Sequence, residues 1–337
     1  MGNSLLLSVC IPTFERADLL RKVLAHLISL PIFQSSDEWE IVISDNASQD
    51  ATEAVAKKFA NQHPQRIRYF RNDTNVYDDN FRLALSRGQG LYLKLCNDTL
   101  LLTNNGISEM LAQIKANCRE KPNLYFRCDN SSLSAETCET FDQFVRSVGY
   151  MCTWIAEFGI WRTKFHELSD FGRARGKQLI QVDATFRILD TSPRTIIFHQ
   201  HFFDTLPKPR HGGYAPSLVF GQNYFSLLRP YVESKQVSHQ AFELDKFRMF
   251  RYVILPNYLI TSPTFQFPRT DYIRNLWPEY KSKGYFYFFL PFVYLAIPVA
   301  FIRLILSRVH NGIMTKHPPP DTPRPLPPDA SGVSTDQ

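Results

Sequence analysis

The sequence predicts an α/β fold of the doubly wound kind: a mostly parallel sheet flanked by helices, with a helical C-terminal extension. Three observations predict it. Short apolar runs of strand length alternate with segments of helical periodicity from about residue 5 to residue 150. The strand candidates are nearly unbroken in apolar residues, as suits strands covered on both faces. Beyond Thr153 the pattern turns aromatic and then helical and basic, which marks a second region.

Residues 5–11 read as the first strand, and Pro12 is expected to end it. Leu19, Leu20, Val23, Leu24, Leu27 and Ile28 recur at helical spacing behind Asp18, and 40–44 form the second strand. In such a unit ligands bind outside the carboxyl ends of the strands, so residues 12–16 and 45–48 should share one rim. Then follow a helix over 50–62, a strand over 67–70, a helix over 79–87 and a strand over 91–96. A helix over 104–117, a strand over 124–128 and a helix over 139–148 complete the alternation.

An aromatic stretch with Trp154, Phe158 and Trp161 follows, and 178–189 read as a helix containing Asp183 and Arg187. Residues 195–198 suit a strand. Pro207, Pro209, Gly212 and Gly213 predict a mobile loop over 204–214. Helices are expected over 217–233 and 239–254. Residues 285–302 contain no charge and are followed by Arg303 and Arg308, which predicts an in-plane or re-entrant membrane anchor over about 285–306. Pro291 and Pro298 argue against a spanning helix, and a buried helix of the C-terminal core is the alternative. The proline-rich 316–337 should be disordered.

A chain of 337 residues with 44% hydrophobic content can build a sizeable core. Its net charge of +6 is uneven: residues 208–316 hold 14 basic and 5 acidic side chains. Such an excess suits nucleic acid or an anionic membrane surface, and the apolar sequence beside it favours the membrane and no nucleic acid. Six cysteines without a CxxC pair suit thiols in a reducing cytoplasm. Residues 1–4 lead straight into the first strand without a basic region or cleavage site, so the N-terminal half is expected in the cytoplasm, peripheral to the inner membrane.

Particular residues carry a resemblance. Ser8-Val9-Cys10-Ile11-Pro12-Thr13-Phe14-Glu15-Arg16, followed by Glu40-Ile41-Val42-Ile43-Ser44-Asp45-Asn46-Ala47-Ser48-Gln49-Asp50, resembles the opening of family 2 glycosyltransferases of the GT-A fold. It continues through Asn75-Val76-Tyr77-Asp78-Asp79-Asn80 and Gly90-Leu91-Tyr92 to Cys96-Asn97-Asp98-Thr99. The chain looks most like the branch of abequosyltransferase-type O-antigen enzymes, strongly over about 5–105 and weakly over 145–230. The resemblance implies a GT-A domain over 1–215, with a nucleotide half to about 105 and an acceptor half beyond it. A helical region over 216–315 and the tail would follow.

It further implies inverting transfer of a sugar from a nucleoside-diphosphate sugar to a hydroxyl of a glycan acceptor, expected to be lipid-linked. Asp45 can accept a hydrogen bond from a nucleobase ring N–H, with Pro12, Thr13 and Glu15 across the rim; capping of the next helix is the plainer reading. Arg16 and Arg71 offer bidentate donors to phosphate or base, or stand solvated on the surface. At Asn97-Asp98-Thr99 the family usually carries two or three aspartates. Asp98 alone remains to hold a divalent cation, Mg²⁺ or Mn²⁺, so metal dependence is expected to be weak. Lys208, Arg210 and His211 could then supply positive charge to the diphosphate. Asp183, in a segment resembling the family's acidic motif, is the candidate catalytic base, and Glu157, in an aromatic setting, is the alternative. Two other classes stay open: a catalytically degenerate binding protein, and a nucleotidyltransferase, which would be expected to show a glycine-rich phosphate loop near the start.

Overall fold

The computed structural model describes residues 4–129, 131–206, 210–211, 214–259, 265–266, 268, 271–288 and 290–291. In chain order, the elements that position the site begin with β1 (Leu7–Thr13), α1 (Ala17–Ser29), β2 (Trp39–Asp45), α2 (Thr52–Gln62), β3 (Ile67–Arg71), α3 (Asp79–Ser86) and β4 (Tyr92–Leu95). Next come β5 (Leu100–Leu102), α4 (Asn104–Asn117), β6 (Asn123–Arg127), β7 (Ala135–Cys138), α5 (Phe141–Ser147) and β8 (Gly159–Trp161). They continue with α6 (Ile180–Thr191), β9 (Thr195–His199), β10 (Phe203–Thr205), α7 (Tyr224–Glu233), α8 (His239–Met249) and α9 (Tyr272–Tyr280).

The main sheet has the order β3-β2-β1-β4-β8, parallel except for β8. The chain winds outward from β1 to β3 and then returns to place β4 on the other flank of β1. The direction of winding therefore reverses between β1 and β4, and the crevice beyond their carboxyl ends is where a doubly wound sheet binds its ligand. Side chains alternate across β1. Val9 and Ile11 join the larger core with Leu20 and Leu24 of α1, while Cys10 joins Val42, Leu93, Leu95 and the Ala184 and Ile188 side of α6. Burying each such aliphatic side chain is worth about 1.5–3 kcal/mol. Beside this sheet, β6-β9-β7 form a second one, and β5 pairs with β10.

Four expectations are corrected. Pro12 does not end β1. The Cys10 carbonyl accepts from Cys96 N and the Thr13 carbonyl from Asn46 N, so even positions here address β4 and odd ones β2. The absent N–H of Pro12 falls on the side where β4 has already stopped, and no ladder bond is lost. Within the predicted loop, Asp204 and Thr205 belong to β10, and Arg210–His211 pairs in parallel with Phe265–Gln266. Two- and three-residue strands carry no readable period. The helix expected over 217–233 is entered through a π-helical turn at Val219–Asn223, where a Cβ on Gly221 would run into the Leu276 side chain. The helix expected over 239–254 likewise passes into a π-helical turn at Phe250–Ile254.

Two compact units result, Met1–Ser282 and Lys283–Gln337. Of the predicted anchor, 285–288 and 290–291 are described and helical. The rest of it, and the tail over 316–337, lie outside the described residues. No helix among the described residues is long and apolar enough to cross a membrane.

Within the first unit, Asp245 of α8 ties the C-terminal helices to the core. It is fully buried and accepts hydrogen bonds from Tyr150 N and Tyr224 Oη, each at 2.7 Å. Gly149 makes room for it: φ is +50°, and a Cβ there would run into Asp245 Oδ1. Gly149→Ala is expected to lower unfolding free energy by at least about 2 kcal/mol, since left-handed strain alone costs roughly 1–2. Urea denaturation measures this, and an unchanged midpoint would refute the account.

Candidate active site

The rim beyond β1, β2 and β4 is assembled by hydrogen bonds between turns distant in sequence. Glu15 N donates to Ser48 Oγ at 2.9 Å, Arg16 N to Thr52 Oγ1 at 3.2 Å and Ala17 N to Asp50 Oδ2 at 3.1 Å. Arg16 N and Ala17 N are two of the open N–H groups at the start of α1, which its own N-cap, Arg16, does not satisfy with its side chain. The β2–α2 turn caps a helix about thirty residues earlier in the chain. Glu15 and Ala47 adopt left-handed conformations, φ +51° and +63°, without being glycines. Such strain persists where the surroundings over-determine it.

Asp98 stands just past β4 and is 2% exposed. Thr13 Oγ1 donates to its Oδ2 at 2.9 Å, and Arg16 Nη1 donates to its Oδ1 at 2.8 Å. Arg16 is 43% exposed, so one guanidinium edge meets the carboxylate at the mouth of the crevice. Asn97 Oδ1 is buried without a partner among the described residues. Asp45 is fully buried. Its Oδ1 accepts from Ser48 N and its Oδ2 from Tyr69 Oη, both at 2.9 Å, with Arg71 Nε at 3.9 Å. Burial, and then the Asp45 carboxylate beside it, push the Tyr69 phenol upward. Arg71 also donates to the Ser48 carbonyl at 2.7 Å and pairs with Glu53 at 3.1 Å.

Beneath the turns runs an amide network. Asn46 bonds Asn75 and Asn72, Asn72 bonds Asn80, and Arg87 bonds both Asn72 and Ser44. It fixes the rim from below, as a satisfied buried polar network does.

Asp183 lies in the first turn of α6, buried, with Arg173 Nε at 2.5 Å and Arg187 Nη1 at 3.7 Å. Arg173 also donates to Tyr231 Oη at 3.3 Å. Asp183 Oδ2 accepts no hydrogen bond among the described residues. Glu157 is fully buried, and neither of its oxygens meets a partner at hydrogen-bonding geometry there. Burial raises its carboxyl to about 7, opposed by Tyr125, Arg127 and Lys94 nearby. Burial lowers the Lys94 ammonium to about 8; its Nζ donates to the carbonyls of Ala156, Leu95 and Phe158.

With this geometry in place, the likeness to other proteins is informative. Residues 8–137 match the family model described as Glycosyl transferase family 2. That likeness is carried by less than half of the chain. Abequosyltransferase RfbV of Salmonella typhimurium (strain LT2) is 37% identical over 89 residues, 26% of this chain and 26% of that protein. Uncharacterized protein Rv1520 of Mycobacterium tuberculosis (strain H37Rv) is 40% identical over 58 residues, 17% of each. The chain thus spans about a quarter or less of the curated relatives it matches. Residues 1–349 of S. aureus TarS, solved with UDP-GlcNAc, superpose with a TM-score of 0.57 at 13% identity, covering 80% of this chain and 79% of that one. The same protein in a longer chain gives 0.55 at 13% identity over 76% and 45%. These likenesses establish the GT-A fold, with its mostly parallel sheet and helical C-terminal part.

Pro12, Thr13, Glu15, Arg16, Asp45, Arg71 and Asp98 fall inside the matched stretch, at the rim beyond the parallel strands. Asp183 and Glu157 lie beyond the matched stretch, in separate clusters. Lys208 is outside the described residues, as are the side chains of Arg210 and His211. Sequence reasoning missed Tyr69, Arg173, Tyr231 and Lys94. Asn75 and Asn80, within the family-like stretch 75–80, were the visible part of the amide network.

Two of the buried acids govern a pH dependence. Glu157 and Asp245 are both raised to about 7 by burial, from ordinary values of 4.5 and 3.8. Between about pH 4 and pH 7 the folded protein therefore holds protons that the unfolded chain releases, and stability falls as pH rises. The urea midpoint is expected to drop from pH 5 to pH 7.5, and to drop less in Glu157→Gln and Asp245→Asn. A midpoint that rises across this window would contradict the assignment.

Proposed function

We propose that the protein transfers a sugar from a nucleoside-diphosphate sugar to a hydroxyl of a glycan acceptor, with inversion at the anomeric carbon. The observation that carries this reading is the rim itself: Thr13, Arg16 and Asp98 converge at the β1–β4 switch point, inside the matched stretch. The complex of TarS with UDP-GlcNAc supports a nucleotide-sugar donor. The likeness to an abequosyltransferase supports a role in surface polysaccharide synthesis. On this reading a GT-A domain over 1–215 precedes a helical region, and a lipid-linked acceptor is presented at the cytoplasmic face of a membrane. Asp45 and Arg71 lie toward the base, and Pro12 and Glu15 form the wall facing them.

In the transfer, the acceptor oxygen bonds to the anomeric carbon as the bond to the diphosphate oxygen breaks. The acceptor proton passes to Asp183, and no protein nucleophile is needed. Two guanidiniums hold Asp183 in place for this. Glu157, enclosed within the core, is the second candidate.

The residues fit a divalent cation narrowly. Asp98 provides one carboxylate and Asn97 Oδ1 an unpartnered oxygen, and with the substrate's diphosphate these would hold Mg²⁺ or Mn²⁺. Such an ion would neutralise the leaving diphosphate. Among the described residues no group of three His, Cys, Asp or Glu could hold one alone. Arg16 already sets a positive charge against Asp98, so EDTA is expected to reduce turnover only in part. Complete loss with EDTA, restored by Mn²⁺, would assign the charge to the ion.

Asp183→Asn is expected to lower kcat by 10²–10⁴ with nucleotide affinity nearly intact, as loss of a general base does. Asp45→Asn keeps an oxygen for Ser48 N and is expected to weaken nucleotide binding about tenfold. Assays of nucleoside diphosphate released from candidate donors, beside binding titrations, separate the two effects. Release of pyrophosphate would indicate a nucleotidyltransferase, and no affinity for any nucleoside diphosphate would end the transfer reading. If Glu157→Gln abolished turnover and Asp183→Asn did not, the roles of the two acids would exchange.

A further inference from the structure

Where β6, α5 and α8 meet there is a cavity of about 340 Å³, built from residues that take no part in the rim or in the Asp183 cluster. Arg127, Arg146 and Arg248 line it, with Glu136, Tyr150 and Tyr252. The volume is at the low end for a small-molecule site. Two of these arginines are compensated: Arg127 pairs with Asp129 and Arg146 with Asp142, each at 2.7 Å. Glu136 stands 3.5 Å from His199 Nε2. Arg127 and Arg248 also hold the C-terminal end of α5, through the carbonyls of Ser147 and Arg146.

Arg248 differs from the other two. Its Nη1 holds that carbonyl, and its charge acts on the buried Asp245 without a contact ion pair among the described residues. Against the three guanidiniums stand Asp129, Asp142 and Glu136, with the buried Asp245 acting on Arg248, so a bound anion adds to a partly balanced set. The forked donors of the guanidiniums match phosphate oxygens. The Tyr150 and Tyr252 rings lie within 15° of parallel with centroids 6.3 Å apart, and Tyr252 is 55% exposed. They add an aromatic wall to a basic cavity, suited to a phosphate that carries an apolar or sugar-like substituent.

We propose that this cavity binds the phosphate or diphosphate of a phosphorylated molecule, with Arg248 as the principal ligand and Tyr252 covering the attached group. That the bearer is the glycan acceptor, phosphorylated away from the attacked hydroxyl, rests on the sugar-transfer reading. The binding itself does not.

The test titrates the full chain with inorganic pyrophosphate and, separately, with a short isoprenyl diphosphate in nonionic micelles. Saturating nucleoside diphosphate is present, so that the rim is filled. Arg248→Gln is expected to weaken both ligands at least tenfold, and Arg248→Lys to recover part of the loss. Tyr252→Ala, at an exposed position that folding tolerates, is expected to weaken the isoprenyl diphosphate alone when the phosphate is a lipid headgroup. Equal affinity for the two ligands, both dependent on Arg248, supports the site with a soluble phosphate as its source. Unchanged affinity in Arg248→Gln while nucleoside diphosphate still binds overturns the cavity and leaves the transfer reading standing. Absence of nucleoside diphosphate binding in the unmutated chain sinks the transfer reading, and the Arg248 dependence of pyrophosphate still decides the cavity.

Discussion

The rim depends on side-chain acceptors that one turn lends to another. An α-helix beginning directly after a parallel strand leaves its first N–H groups open, and α1 has no cap of its own. Asp50 and Thr52 close two of those groups from across the β1–β2 boundary, and Ser48 bonds Glu15 N just before them. The same contacts fix the relative height of the two turns, so that Thr13 and Arg16 arrive at Asp98 together. Removing Asp50 or Thr52 would therefore disturb a site neither residue touches.

This arrangement uses up the N-terminus of α1. In many nucleotide-binding proteins a glycine-rich turn leaves the helix N–H groups free to take phosphate. Here two of them, at Arg16 and Ala17, are bonded to the protein, and residues 12–16 contain no glycine. Positive charge toward a diphosphate must come from side chains or from an ion, and Arg16 is the guanidinium already set on the Asp98 carboxylate. The sparse set of carboxylates at 97–99 and the placement of Arg16 are two sides of one electrostatic arrangement.

The longer elements of the nucleotide half were legible: β1 and β2 as nearly unbroken apolar runs, α1 and α4 as amphipathic stripes. Asn104–Asn117 falls on the residues expected of it, with Thr103 capping Gly106 N. What escaped has physical reasons. β5, β7, β8 and β10 have three or four residues each, too few for alternation to declare itself, and β8 runs antiparallel against a parallel sheet. In the site, Asp45, Asp98 and Asp183 could be singled out as acids, but not their partners. Asp98 meets Arg16 across 82 positions, and the Arg173 that holds Asp183 lies in a stretch without a motif. Glu157 could be suspected from its aromatic neighbours, and burial does raise it. Lys94, which acts on it electrostatically, is a single charge within a strand, and nothing in the sequence signals its burial.

Rigidity follows from the left-handed turns. Glu15, Ala47 and Tyr77 sit past β1, β2 and β3 with φ of +51°, +63° and +53°, and none is a glycine. Each such residue costs roughly 1–3 kcal/mol unless its surroundings compensate. The compensation is visible: Glu15 N is bonded to Ser48, Ala47 lies inside the turn closed by Asp45 and Ser48, and Tyr77 N is bonded to Asn75 Oδ1. A turn held in a strained shape by its neighbours is set before ligand arrives, and little ordering remains for binding to impose. The rim therefore belongs to the preformed part of the molecule. Any movement that admits the acceptor must come from elements outside this network.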